Sequence, residues 1–201
     1  MSPRRACAFA LLVVAACTAY TPDSLEPAPA PLPSRLLPLH VGPGEAQLVH
    51  FEGVAPLAIH TDFATVFRRD LEANVFMPDE RRWGYAEFHL TFDDDRITGL
   101  GIVLGGLNAV TLFVPALLGA PVTVRERTLQ AEIVLYNARR VSVAKYVITG
   151  RHTYTVSAYK RQASRRAGIE AAKTIMEQFR AQLAPHAAAL NARLRETGPV
   201  S

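Results

Sequence analysis

Histidines and serines are the residues through which this sequence could most simply perform catalysis, but none stands in a catalytic spacing. The six histidines form no HxxxH or HExxH pair, the spacing that places two zinc ligands on one helix face. No serine lies in the GxSxG turn that presents a nucleophile in hydrolases. We therefore expect a protein that is not an enzyme and that uses no metal and no cofactor.

Two further patterns could bind a ligand. Asp93 to Asp95 are consecutive carboxylates, but the alternating ligands, glycine and distal glutamate of a calcium loop do not follow them. Gly99, Gly101 and Gly105 form a loose GxGxxxG, which lacks the acidic residue that dinucleotide sites carry about 20 positions further on. We interpret the aspartates as a solvated loop and expect no nucleotide site.

The N-terminus carries the most specific signal in the chain. Arg4 and Arg5 precede an apolar run, residues 6–14, which is shorter than the about 20 residues that cross a bilayer. Small residues then lead to Cys17 in the sequence Val14-Ala15-Ala16-Cys17. This arrangement is typical of a signal peptide rather than of a membrane-spanning helix.

The four residues that end at Cys17 resemble the lipobox of bacterial lipoproteins. The resemblance implies that residues 1–16 are removed as a signal peptide and that the Cys17 thiol is acylated, which anchors the chain to membrane lipid. The other cysteine, Cys7, lies in the removed segment, so we expect no disulfide in the mature chain. An aspartate directly after the lipidated cysteine resembles an inner-membrane retention signal. This chain has Thr18 at that position, which favours the outer membrane in a cell with two membranes.

The mature chain divides into three regions. Residues 17–44 form a lipidated linker with seven prolines, which should be extended and semi-rigid. This linker either spaces the body from the bilayer or docks onto its own domain. Residues 45–184 are expected to form one α+β domain with an apolar insert at 98–122, and residues 185–201 a C-terminal tail.

Local patterns predict a β-α-β-β-β-α order. Strands are predicted at residues 47–51, 85–92, 123–136 and 141–156, because apolar and polar residues alternate there. Helices are predicted from Thr61 or Asp62 to Phe76 and from Ser164 to Leu183, because apolar residues recur at helical spacing. The predicted fold is a four-stranded antiparallel sheet with two helices on one face, interrupted by a long apolar helical segment.

The apolar segment, Thr98 to Val122, is the least usual feature of the sequence. No charged residue lies between Arg96 and Arg125, and the stretch is long enough to span a bilayer. One crossing would place the flanking strands on opposite sides of a membrane, so the chain must return. Either the segment is a bent or re-entrant hairpin that dips into the bilayer, or it is a buried crossover packed on the core or against a partner. The candidate contact residues are Leu100, Ile102, Val103, Leu104, Leu107, Leu112, Phe113, Leu117 and Leu118.

Basic residues are concentrated after this segment. From position 125 onward there are 14 basic and 5 acidic residues, against 6 and 13 between positions 17 and 96. The densest group is Lys160, Arg161, Arg165 and Arg166, whose positive charge at a helix start opposes the helix dipole. This group is our candidate contact for an anionic lipid, a glycolipid or an acidic envelope protein, and we expect no nucleic-acid partner.

The element order is similar to that of small envelope lipoproteins that assist lipopolysaccharide export, although no motif residue carries this resemblance. Three functions remain open. The first is a non-enzymatic envelope lipoprotein that engages a membrane or a membrane complex through its apolar segment. The second is a lipid or glycolipid carrier or assembly factor, and the third is an enzyme that modifies envelope polymers.

Overall fold

A computed structural model describes residues 22–43, 56–158 and 162–200 of the chain. Within them, four strands form one sheet in the order β1-β2-β3-β4. The strands are β1 (His40–Pro43), β2 (Gly84–Ile97), β3 (Thr123–Asn137) and β4 (Ser142–Val156). The α+β class and the four-stranded sheet are confirmed, and the β3–β4 pair lies almost where the alternation predicts it.

The sheet is mixed, so the antiparallel prediction is wrong. β1 runs parallel to β2, with His40 opposite Tyr85, whereas β2–β3 and β3–β4 are antiparallel. A parallel pair requires a crossover, which here contains helix α1 (Pro56–Asp70). The predicted strand at residues 47–51 lies outside the described residues.

Helices α1 and α4 (Ala163–Leu183) pack side by side on one face of the sheet, as predicted. α1 begins earlier than predicted and continues as a π-helical turn, Leu71–Val75. Neither predicted cap is correct, because Asp62 and Ser164 both lie inside their helices and bond to side chains of other elements.

The core lies between these helices and the sheet. Phe63 and Phe67 of α1 meet Phe88 of β2 at ring distances of 4.9 and 5.1 Å. Gly150 of β4 allows α4 to approach closely, since a Cβ there would lie 2.1 Å from the carbonyl oxygen of Ala171. The apolar stripes predicted for both helices are buried.

The described part of the proline-rich segment packs on this core. Leu36 and Leu39 are buried, and Asn191 accepts a hydrogen bond from Leu37 N and donates one to the Arg35 carbonyl. Asn191 belongs to helix α5 (Ala187–Glu196), in the region where we predict only a tail. α4 ends at Leu183, and Pro185 lies in a three-residue 3₁₀ segment, Ala184–His186, that leads into α5.

The apolar insert is not one long helix, contrary to the prediction. It contains α2 (Gly99–Val110) and the single turn α3 (Val114–Leu117), joined by a tight connection. No helix in the described residues has the length and apolar character needed to cross a membrane. The insert joins the adjacent strands β2 and β3 at one end of the sheet, and we call residues 98–122 the apolar hairpin.

Candidate functional site

The base of the apolar hairpin is fixed to the start of β3 by short-range contacts. The Thr98 hydroxyl accepts a hydrogen bond from Gly101 N at 3.1 Å, which caps α2, and it lies 3.0 Å from the Val124 carbonyl oxygen. Gly101 is required at this point, because a Cβ would sit 2.1 Å from the same carbonyl oxygen. The Thr123 hydroxyl donates in turn to Gly101 O at 3.1 Å.

Asn108 closes the hairpin further along. It is only 4% exposed, and its amide nitrogen lies 2.9, 3.1 and 3.3 Å from the carbonyl oxygens of Leu104, Pro121 and Val122. These hydrogen bonds tie α2 to the segment that returns to the sheet. The sequence gives no sign of this role, because two of the carbonyl partners lie 13 and 14 positions further along the chain.

The connection between α2 and α3 adopts an unusual backbone. Leu112 and Phe113 have φ values of 50° and 59°, in the left-handed region that bulky residues rarely occupy. Such conformations cost of order 1–3 kcal/mol each and are concentrated at functional sites. The turn presents two large apolar side chains where a glycine or asparagine would be less strained.

The predicted contact residues are exposed rather than buried. The exposed fraction is 83% at Val110, 82% at Leu112 and 84% at Leu118. Leu104 alone among the nine candidates is half-buried. Val110 and Val114, which are not among the candidates, are exposed. So are the other eight candidates: Leu100, Ile102, Val103, Leu107, Leu112, Phe113, Leu117 and Leu118.

This exposure tests the alternative in which the segment is a crossover buried on the core of this chain. The residues of α2 that are not exposed are Gly101, Leu104, Gly105 and Asn108, which recur at three- and four-residue spacing. The remaining circumference carries large apolar side chains in the open. The apolar hairpin is therefore not a crossover packed on this chain's own described core.

A buried polar network stands at the same end of the sheet. Asp93 accepts two hydrogen bonds from Arg127, at 2.9 and 2.6 Å, and both side chains are almost fully buried. Asp95 accepts from Ser164, Tyr154 and Arg125 at 2.9, 2.7 and 3.0 Å. The interpretation of Asp93 to Asp95 as a solvated loop is therefore wrong, since β2 continues through them.

The network places the start of α4 beside the hairpin. Ser164 belongs to the first turn of α4, and Asp95 lies two residues before the end of β2. Burial is the largest cause that raises the pKa of Tyr154, and its contact with the Asp95 carboxylate adds to the increase. The network thus fixes the direction from which α4 approaches the sheet.

The basic cluster at the start of α4 is only partly available to a partner. Arg165 donates to both oxygens of Asp62 on α1, at 2.6 and 2.7 Å, so its charge is paired within the fold. Arg166 is exposed and has no ion pair within the described residues. Lys160, Arg161 and the lipidation candidate Cys17 lie outside the described residues, and their roles stay predictions.

The face of the sheet opposite the helices carries an open cavity of about 300 Å³. Its lining is mostly polar and includes Arg96, Glu126, Gln130 and Arg151. A lining of this kind does not suit acyl chains. Within the described residues, no group of three or more His, Cys, Asp or Glu side chains could hold a metal ion.

No protein-family model and no curated protein matches the sequence. The fold is weakly similar to a protein from Caulobacter crescentus named as a candidate lipoprotein (10% identity, 76% of this chain, 91% of that chain, TM-score 0.45). It is similar to a Xanthomonas campestris protein from a family of unknown function (8%, 84%, 93%, 0.42) and to a minor lipoprotein of Acinetobacter baumannii (9%, 80%, 95%, 0.33). Because these similarities are weak, function must be inferred from this chain's own residues.

Proposed function

We propose that this chain is a non-enzymatic lipoprotein of the bacterial envelope that contacts the membrane at two points. The first contact is the lipid on Cys17, which the resemblance of residues 14–17 to a lipobox implies. The apolar hairpin supplies the second by entering the hydrocarbon region of the same membrane. The observation that carries this proposal is the open display of large apolar side chains on a segment without any charge.

Lipid is a better occupant of this surface than a single partner protein. A protein interface covers one face of a helix, whereas the apolar hairpin exposes large apolar side chains on α2, on the connecting turn and on α3. Lipid surrounds such an element on all its free sides. Exposed apolar patches of this extent on soluble monomers mark sites of interaction.

The internal contacts of the hairpin suit a water-poor environment. The two N–H groups of the Asn108 amide lie within reach of three carbonyl oxygens, two of them in the non-helical return segment, and unpaired backbone groups are costly in lipid. The Oδ1 of Asn108 is itself buried without a hydrogen-bond partner in the described residues. α2 has 12 residues and is therefore about 18 Å long, which is close to the about 15 Å of hydrocarbon in one leaflet. The hairpin matches the dimensions of an element that enters from one side and returns.

Vesicle flotation tests this proposal directly. The exported Cys17→Ala chain is mixed with phosphatidylcholine–phosphatidylglycerol vesicles, and the bound fraction is compared with that of a Leu112→Asp/Leu118→Asp variant. Burying each leucine contributes about 1.5–3 kcal/mol, so the variant should bind at least roughly 100-fold more weakly.

The matched control is Val141→Asp, which also replaces an exposed apolar residue but lies in the β3–β4 loop at the opposite end of the sheet. It should bind vesicles as the parent does. Equal binding by the parent and the Leu112→Asp/Leu118→Asp variant would show that the apolar hairpin is not the contact.

A further inference from the structure

The outer edge of β4 is the longest exposed strand edge in the described part of the sheet. β4 has 15 residues and pairs only with β3, whereas the opposite edge strand, β1, has four. Proteins usually protect long edges with proline, bulges, charges or a covering element, because unpaired backbone groups accept another strand. β4 contains no proline, and its one register shift lies near its start, between Leu135 and Tyr136 of β3.

The register shows which backbone groups point outwards. Val122 N donates to the carbonyl oxygen of Val156, so the even-numbered residues face β3. Odd-numbered residues face away, and two of their carbonyls already accept from side chains: Val143 from Arg193 and Thr149 from Gln178, both at 3.3 Å. Within the described residues, side chains from the helices therefore donate to only two of the outward-facing carbonyl groups of β4.

The stretch from Arg151 to Thr155 is the open part of this edge. Arg151, Thr153 and Thr155 direct their backbone groups outwards, and no described residue donates to or accepts from them. Their side chains are exposed on the sheet face opposite the helices. Three outward residues present three N–H donors and three carbonyl acceptors, which is enough to pair with a short extended segment.

Charge favours an acidic occupant. β4 carries Lys145, Arg151 and His152 and not one acidic residue. Lys145 is paired with Glu132, but Arg151 has no ion pair within the described residues and lines the open cavity of about 300 Å³. The charged residues of that lining are Arg96, Arg151 and Glu126, so the cavity carries a net positive charge. An added strand would place alternate side chains on this face, next to Arg151.

A second copy of this chain fits the edge less well. Antiparallel pairing of two β4 strands centred on Ile148 would place Lys145 of each copy opposite Arg151 of the other, with no acidic residue from either strand. Like charges placed opposite each other in a sheet are destabilising. The edge is therefore better matched to a different chain.

We infer that the Arg151–Thr155 edge of β4 binds an extended, acidic segment of another envelope protein by strand addition. The bound segment would form backbone hydrogen bonds with Arg151, Thr153 and Thr155, and one of its carboxylates would pair with Arg151. The site adjoins the apolar hairpin, because β4 ends at Val156, opposite Thr123 where the hairpin returns. The inference does not depend on membrane contact.

Amide hydrogen exchange of the full Cys17→Ala chain tests this inference. The probe is a capped seven-residue peptide that alternates valine and glutamate, and the readout is the exchange of individual β4 amides at saturating peptide. We expect at least tenfold slower exchange at the amides of Arg151, Thr153 and Thr155, with little change at the even-numbered amides that already bond to β3. A lysine-for-glutamate peptide and a peptide methylated on alternate backbone nitrogens should both lose this protection.

Two variants separate strand addition from simple charge attraction. Thr153→Pro removes one outward N–H, which an edge strand tolerates, and should weaken peptide binding at least tenfold, while Thr153→Ala should not. Arg151→Glu should weaken the binding of the acidic peptide and strengthen the binding of the lysine peptide.

Three results would overturn the inference: no protection of the outward amides, equal binding of both peptides, or a dimer of the chain alone that Thr153→Pro dissociates. The last result would assign the edge to a second copy. None of these results bears on vesicle binding, so the two proposals can fail separately.

Discussion

Helix α4, which begins at the end of the sheet that carries the apolar hairpin, buries its apolar residues, whereas the hairpin exposes them. α4 buries Ile169, Ile175, Met176 and Phe179 against β3 and β4, and its one buried charge, Arg180, is paired with Asp70 at the end of α1. In α2 of the hairpin, glycine and asparagine face the protein and the large apolar residues face outwards. Folding of the chain explains the first arrangement and leaves the second unexplained.

The difference teaches that the hairpin is positioned by hydrogen bonds and a close backbone approach rather than by burial of its large apolar side chains. Its base depends on a cap at Thr98, a close approach at Gly101 and the hydrogen bonds of Asn108. The polar network around Asp93 and Asp95 fixes α4 beside it. A large exposed apolar surface that is held in a defined position by hydrogen bonds is typical of an interaction site.

The largest effect should follow from breaking the buried pair beside α4. Arg127→Ala leaves the Asp93 carboxylate buried without its partner, so the free energy of unfolding should fall by about 3–5 kcal/mol. Urea denaturation at neutral pH measures this change. Arg96→Ala is the control, because the Arg96–Asp94 pair is largely exposed on the arginine side, and it should cost less than about 1 kcal/mol. Similar losses in both variants would contradict the role given to the buried network.

Substitution of two glycines in the same helix should sharpen the comparison. Gly101→Ala forces a Cβ against the Val124 carbonyl and should cost about 1–3 kcal/mol of unfolding free energy. Gly105→Ala meets no atom within 4 Å and should instead stabilise α2 by up to about 1 kcal/mol. Thermal unfolding of both variants measures the difference, and equal midpoints would show that α2 is not fixed at Gly101.

Loss of the Asn108 amide should loosen the hairpin without unfolding the protein. Asn108→Ala removes the hydrogen bonds to Pro121 and Val122, at a cost of about 1 kcal/mol that is confined to the hairpin. Amide exchange of residues 99–123 should become faster, while exchange in β3 beyond Leu129 stays unchanged. Thr111→Ala, which removes hydrogen bonds within the hairpin's own helix end, should leave the return segment as it is.

The smallest effect concerns the pH dependence of the helical layer. Burial lowers the pKa of His60, which packs on Phe88. The folded state therefore binds this proton less readily than the unfolded state, and stability falls as pH drops below about 6.5. His60→Phe should make the unfolding free energy less sensitive to pH between 7.5 and 5.5. If the unfolding free energy of His60→Phe changes between the two pH values as much as that of the parent, His60 does not cause the pH dependence.

Local patterns in the sequence predict the elements well where one side of each element is buried. The buried stripes of α1 and α4 and the alternation of β3 and β4 are visible because apolar residues recur at periods of 3.6 and 2. β1 is not predicted, because it ends with Pro43 and follows Pro38 closely, and because its parallel partner lies more than 40 residues away. Only long-range pairing with β2 reveals this strand.

The candidate functional residues also differ in whether the sequence alone identifies them. The exposed apolar residues of the hairpin are identifiable from the absence of charge between Arg96 and Arg125. The pairing of Arg165 with Asp62 and the role of Asn108 depend on which elements meet in space, so spacing along the chain gives no sign of them. A cluster of charged residues in a sequence can therefore form an ion pair between helices instead of a binding site.

Membrane partitioning of the chain without its lipid tests the central claim most directly. A Cys17→Ala chain, exported through a signal peptide that does not lead to acylation, is expressed in a bacterial host, and its membranes are extracted with alkaline carbonate. We predict that this chain stays in the membrane pellet and that Leu112→Asp/Leu118→Asp releases it. If the Cys17→Ala chain is instead released as a soluble, monodisperse protein, the apolar hairpin does not enter the bilayer and lipid on Cys17 is the sole anchor.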